Sequence, residues 1–311
     1  MQLLIQILRI LLGLIFLFSG LIKQNDPLGF AYKLEEYCHV FNLHILIPYT
    51  LPLSILFCAL EISLGVLLIF KINFNLAKKI SLLLLIFFAF LTFYSAYFDK
   101  VKSCGCFGDV IVLTPWQSFF KDVVLLVINL SLFYIPKIYY RPVKQYFYTL
   151  IIFLISLYLG LYTYKNLPAI DFSQYKKGVS LRDLYNHKLL DPLALDSNWH
   201  DHTQEIVNNT RLVILITSLD LNTLKNKDIA KINSILKQAE LIKTPVYILT
   251  SANDTDIKNF KTKIQITLET YFTDLIFLRT LMRANNGIII LKNGIIMSKN
   301  NLANFNINAL K

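Results

Sequence analysis

Two cysteines one residue apart stand in the string Lys102-Ser103-Cys104-Gly105-Cys106-Phe107-Gly108-Asp109. Thiols this close suit redox exchange or metal binding more than packing, because a thiolate can attack a disulfide within reach or ligate a soft metal. Gly105 permits the tight turn that such spacing needs. A zinc site would need two more ligands, and the chain has no His or Cys pair at finger-like spacing, so no metal is expected. The reading is a redox pair, Cys104 and Cys106.

A second candidate is Glu61, in Cys58-Ala59-Leu60-Glu61-Ile62-Ser63. It falls inside a long apolar run, where an ionisable side chain is costly and marks a function by default. Its plain reading is a protonated carboxyl bonded to a neighbouring helix. Its functional reading is a proton carrier or part of a quinone site. No cofactor-binding residue is assigned and the cofactor is open; the pair would pass electrons to a quinone or to a partner. Cys58, one helical turn from Glu61, reads as a buried apolar thiol. Cys38 belongs to the stretch 32–39, which looks like a short surface helix, and could reach the Cys-Gly-Cys pair. His200-Asp201-His202 could bind a metal, with a solvated loop the plainer reading.

The elements that must position these groups are membrane spans. The chain has 311 residues, 55% hydrophobic and 16% charged, too apolar for an ordinary soluble protein. The apolar residues concentrate before residue 166. Five runs are long enough to span, at 3–22, 48–70, 80–98, 117–135 and 146–164, since a spanning helix needs roughly 20 residues. Lys121 and Asp122 fall in the first turns of the fourth run, at headgroup level. The first run lacks a small-x-small cleavage site after it and reads as an uncleaved anchor.

Orientation follows from Lys and Arg in the short connections. Lys71, Lys78 and Lys79 after the second run, and Lys137, Arg141 and Lys144 after the fourth, have no acidic neighbours and read as cytoplasmic. The other two connections mix signs and face outward. The N-terminus is then inside, and the Cys-Gly-Cys loop and everything after Tyr164 lie outside, in a compartment where disulfides persist. The net charge of +11 is dispersed with no basic stripe, which excludes nucleic acid as a partner. The partners expected are the lipid bilayer and an exported thiol protein or periplasmic redox protein.

Residues 166–311 contain no cysteine. Apolar runs at 212–217 and 245–250 read as strands, 226–241 and 274–283 as helices, and 287–298 as a hairpin around Asn293-Gly294. Strand, helix, strand, helix, hairpin is the thioredoxin-like order. A catalytic thioredoxin would carry Cys-x-x-Cys after the first of these strands. Ser218-Leu219-Asp220-Leu221 stands there, and Asn285-Asn286 replaces the proline before the hairpin. The tail therefore reads as redox-inert, binding a partner or covering the membrane site.

Phe18-Ser19-Gly20-Leu21-Ile22-Lys23, Asp26-Pro27-Leu28-Gly29-Phe30-Ala31-Tyr32-Lys33 and Cys104-Gly105-Cys106-Phe107-Gly108-Asp109, with Trp116 and Lys121, resemble the DoxX/MauE-type membrane proteins. The likeness is to the Bacteroidetes form with a thioredoxin-like tail, of which 167–172 and 286–294 look like parts. That tail often has Pro where Asn286 stands here. The resemblance implies an α-helical membrane bundle in the bacterial inner membrane: a four-helix core over 1–140, a fifth transmembrane helix with linker over 141–165, and an α/β thioredoxin-like domain over 166–311. Its MauE branch implies help with disulfide formation during methylamine dehydrogenase maturation, a methylamine-utilisation role. Its DoxX branch implies sulfur or quinone chemistry. Two functions follow as expectations. One is a membrane thiol–disulfide oxidoreductase or its accessory subunit acting on exported proteins. The other is a non-catalytic assembly scaffold whose Cys-Gly-Cys is structural and whose tail docks a partner.

Overall fold

The computed structural model describes residues 2–101, 105–135, 142–264 and 268–310. Cys104 and Lys102 lie outside the described residues, as do Lys137 and Arg141. The chain divides into two compact units, Met1–Lys165 and Asn166–Lys311.

The first unit is helical: α1 (Gln2–Asn25), α2 (Pro27–Val40), α3 (Thr50–Phe70), α4 (Phe74–Phe98), α5 (Pro115–Ser131) and α6 (Pro142–Asn166), with a 3-10 turn His44–Tyr49 before α3. Among the described residues, five helical stretches are long and apolar enough to cross a membrane: Gln2–Asn25, His44–Phe70, Phe74–Phe98, Pro115–Tyr134 and Lys144–Asn166. They contain four of the runs expected from sequence, and the fourth run, 117–135, but for its last residue. Local chemistry sets their starts. Asp26 caps α2 by accepting from the Gly29 amide at 2.9 Å, with Pro27 in the first turn. Thr114 and Gln117 form a reciprocal capping box on α5, again with Pro next.

Two differences from the sequence reading concern the site. The surface helix expected at 32–39 is longer, and its face Pro27, Leu28, Phe30, Ala31, Leu34, Tyr37 and Cys38 is buried. Asp122, expected at the headgroups, is 1% exposed. It accepts from Thr92 of α4 at 3.0 Å and pairs with Lys121 at 2.7 Å.

Helices α1 and α3 cross at near contact. A Cβ at Gly65 would sit 2.7 Å from the Leu17 amide nitrogen, and one at Gly20 would sit 2.8 Å from that of Ile62. Only glycine lets two backbones approach this closely, the usual solution where lipid removes the hydrophobic drive between helices. At the other end of this pair, buried Arg9 donates to the carbonyls of Leu68 and Ile69. It satisfies two of the C-terminal acceptors that α3 leaves open.

The second unit is an α/β domain. It contains α7 (Leu181–Asn186), α8 (Thr203–Val207), β1 (Leu212–Ser218), α9 (Asn226–Leu241), β2 (Val246–Thr250), α10 (Asp254–Ile264), β3 (Glu269–Phe272), α11 (Leu275–Leu281), β4 (Asn286–Lys292) and β5 (Ile295–Asn301). The sheet order is β3-β2-β1-β4-β5, with β1, β2 and β3 parallel and β4 and β5 antiparallel. Strand β1 is buried on both faces and alternates between two cores. Val213 and Leu215 enter one with Leu278 and Leu281, while Ile214 and Ile216 enter the other with Ile232 and Ile235. Asn293 and Gly294 both have positive φ, at 53° and 72°, the geometry that a two-residue hairpin requires.

Candidate functional site

The crossing of α1 and α3 assembles a buried polar centre. Gly20 brings α1 against Glu61 and Ile62, so Ser19 and Lys23, one turn apart, both face Glu61. Lys23 Nζ lies 2.5 Å from Glu61 Oε1, and the side chains are 3% and 2% exposed. Ser19 Oγ lies 2.9 Å from Glu61 Oε2. The ammonium also sits 4.8 Å from the ring centroids of Phe30 on α2 and Phe88 on α4, close enough for attraction to both π-faces. Cys58 is fully buried in a cluster with Phe30 and Leu34, with Phe88 packed against it.

Sequence reading found Glu61 and missed its partners. It expected a carboxyl bonded to a neighbouring helix, and placed Lys23 in the outward connection between the first two runs. The structure bonds Glu61 to α1, through a cation and a hydroxyl. The available signal was Ser19 and Lys23 at i and i+4 with Gly20 between them, on a helix whose preceding residues 10–18 are all apolar or glycine.

The cysteine-bearing loop sits on this centre. Cys106 is disulfide-bonded and 7% exposed, and its carbonyl lies 2.9 Å from the same Ser19 Oγ. Phe107 packs on the Phe18 ring at 5.7 Å, and Lys121 lies 5.1 Å from its centroid. Gly105 and Gly108 have φ of 69° and 55°, and the Gly108 amide donates to the Gly105 carbonyl at 3.1 Å. Cys104, the other member of the expected pair, is outside the described residues. Cys38 and Cys58 are free thiols. Burial, with Glu35 nearby, pushes the Cys38 thiol up, which disfavours the thiolate that exchange requires.

In the α/β domain, polar contacts hold the end of β1, where Ser218-Leu219-Asp220-Leu221 stands. Ser218 donates to the Asn286 side-chain carbonyl at 2.7 Å across paired β1 and β4. Ser251 donates to the Leu219 carbonyl at 2.7 Å. The histidines lie elsewhere. His202 reaches Asp196 at 3.4 Å and Glu205 at 3.3 Å, and His200 reaches Asp196 at 3.3 Å. Among the described residues no group of three or more His, Cys, Asp or Glu could hold a metal ion.

The His202 contacts imply a pH dependence. Hydrogen bonds to Glu205 and Asp196 raise His202 above its ordinary 6.5. Asp196 is drawn down to about 2, first by the His200 backbone amide. A raised histidine stabilises the fold fully below its unfolded pKa, and the effect fades as pH rises through the folded value. Local stability around residues 196–205 should therefore fall as pH rises above about 6.5 and through the raised His202 value. His202→Gln should remove that fall, read by hydrogen exchange at several pH values. An unchanged pH profile in His202→Gln would contradict this.

Apolar helices around a buried ion pair and a cystine-bearing loop define an integral membrane protein with an appended α/β domain. Residues 1–135 match the family model described as methylamine utilisation protein MauE. The membrane part of the chain is thus similar to the MauE family. The chain is also similar to Protein TlpB of Flavobacterium psychrophilum, 28% identical over 203 residues, 61% of this chain and 53% of that protein. It spans about half the length of that relative. No solved structure matches the chain.

Proposed function

We propose that this protein is a thiol–disulfide exchange unit of the bacterial inner membrane, or the accessory subunit of one, with Cys104 and Cys106 as the redox pair. The observation that carries this reading is the seat of Cys106. It is disulfide-bonded, and its carbonyl is 2.9 Å from a hydroxyl that also contacts the buried Glu61. A cystine above an intramembrane ion pair suits chemistry that moves electrons with protons. In exchange, an exported dithiol loses two electrons and two protons and gains a disulfide. The Cys104–Cys106 bond breaks and takes up both as two thiols. Reoxidation passes the electrons to an acceptor of quinone class or to a second redox protein. The loop, and the thioredoxin-like domain of residues 166–311, face the periplasm, and the N-terminus is cytoplasmic, in keeping with the basic residues of the short connections. That domain, without cysteine, docks the exported partner.

Cys106→Ser tests the exchange. Cys104 can then attack an exported disulfide, and no thiol at 106 resolves the product, so a mixed disulfide should accumulate. Non-reducing gels followed by mass spectrometry read it. Absence of any adduct, with the variant present at normal levels, would contradict exchange.

A scaffold reading has one observation in its favour. Phe107 is held between Phe18 and Lys121 while Ser19 holds Cys106, so the loop is anchored on two helices. On that reading the cystine pins the loop and the α/β domain recruits a partner.

A further inference from the structure

We propose that the α/β domain carries a binding cleft for a phosphate group on a small hydroxylated head, as in glycerol phosphate or the headgroup of an anionic phospholipid. The inference stands apart from the exchange reading and uses none of the cysteines.

The cleft measures about 390 Å³, within the range of small-molecule sites. Its charged lining is Lys177, Arg283, Lys299 and Asp171, three cations against one carboxylate. The fold sets each of them. Lys299, on β5, is 7% exposed and lies 2.7 Å from Asp171. It also donates to the Tyr175 carbonyl at 3.1 Å, which staples the segment after α6 to the sheet. Asp171 accepts from the Ser173 amide at 2.9 Å. The Lys299–Asp171 pair is thus a built wall, and the positive excess falls on Lys177 and Arg283. Beside Lys177, Gly178 has φ of 89°, and its amide donates to the Ile296 carbonyl at 2.8 Å. That contact holds the exposed Lys177 at the edge of β5. Arg283 is half-buried between α11 and β4.

A planar guanidinium matches two oxygens of a phosphate, and an ammonium adds a point charge. Asn166, Asn300, Asn301 and Asn304 also line the cleft. Amide side chains both donate and accept, which suits the hydroxyls of a glycerol or sugar. The cationic excess opposes a metal ion, and the lining is too polar for an apolar guest. The place in the chain favours phosphate among anions. Asn166 lines the cleft and is also the last residue of the fifth apolar stretch, Lys144–Asn166. A chain leaving a bilayer passes through the layer of lipid phosphates, where basic pockets bind headgroups.

The test places the full chain in lipid nanodiscs and reads hydrogen exchange at residues 166–178 and 298–304. In one arm the discs are phosphatidylcholine, whose choline cation opposes Lys177 and Arg283, and glycerol phosphate is added, with glycerol as control. In the other arm the discs carry phosphatidylglycerol and no soluble phosphate is present. Slowed exchange at both segments in at least one arm, and none with glycerol, is the expected result. Binding in the first arm marks a soluble phosphate ester as the ligand, and binding in the second arm alone marks a lipid headgroup. Lys177→Gln and Arg283→Gln should each raise the ligand concentration or lipid fraction needed for half-protection about tenfold, the size of one charge-assisted contact. Lys177 is exposed, so its replacement leaves the core intact even where Arg283→Gln disturbs folding. Lys237→Gln, at an exposed position on α9, removes the same charge away from the cleft and should change nothing. Protection in neither arm would overturn the proposal. So would protection that survives Lys177→Gln, or that Lys237→Gln weakens equally.

Discussion

Lys23→Met should cost the folded protein about 3–5 kcal/mol, the usual penalty for leaving one member of a buried ion pair without its partner. Lys23 and Glu61 are 3% and 2% exposed and 2.5 Å apart, so neither can turn to water when the other is removed. The methionine also forfeits the attraction of the ammonium to Phe30 and Phe88. Glu61→Gln should also be damaging, because it removes the partner of Lys23 in a buried site. The double variant Lys23→Met with Glu61→Leu should recover most of the loss, since an apolar pair of similar volume carries no desolvation penalty. Denaturant unfolding of the full chain in one detergent measures all of these. A double variant no more stable than the worse single would show that the pair is not the coupled unit described.

Gly20→Val should disrupt the bundle strongly without removing a charge. Its Cβ would lie 2.8 Å from the Ile62 amide nitrogen and 3.0 Å from the Glu61 Cβ. Backbone cannot step aside as a side-chain tip does, so α1 must move off α3. Overpacking of this kind costs about 1–3 kcal/mol, and the displacement also pulls Lys23 and Ser19 away from Glu61. Leu21→Val, at a neighbouring position 47% exposed in the helix bundle, is the control and should be near neutral. The same unfolding measurement separates them, and equal stabilities would contradict the close crossing.

Much of this fold is legible in the sequence, for identifiable reasons. The five spans are long charge-poor runs, and length alone separates them from buried soluble helices. The hairpin is legible because Asn293-Gly294 supplies two residues that tolerate positive φ. Strand β3, Glu269–Phe272, and helix α10 were not legible. The strand is four residues long with two polar members, and α10 is largely polar. Among site residues, Glu61 stands out as a carboxyl in an apolar run. Lys23 does not, because it ends its helix and its partner is 38 residues away. Their meeting depends on a helix crossing that Gly20 and Gly65 permit, and no periodicity encodes a crossing. The contact of Asp122 with Thr92 was not legible for the same reason, since Thr92 lies on another helix.

The central claim is that Cys104 and Cys106 exchange with exported thiols from the outer face of the membrane. The most direct measurement is the redox state of this pair in intact cells and spheroplasts, trapped with a membrane-impermeant maleimide and resolved by peptide mass. The account predicts that both dithiol and disulfide are populated, that the dithiol is labelled from outside, and that its fraction rises when the electron acceptor is removed. A pair that stays fully oxidised under every condition, in a protein whose Cys104→Ser, Cys106→Ser double variant loses stability and nothing else, would contradict it.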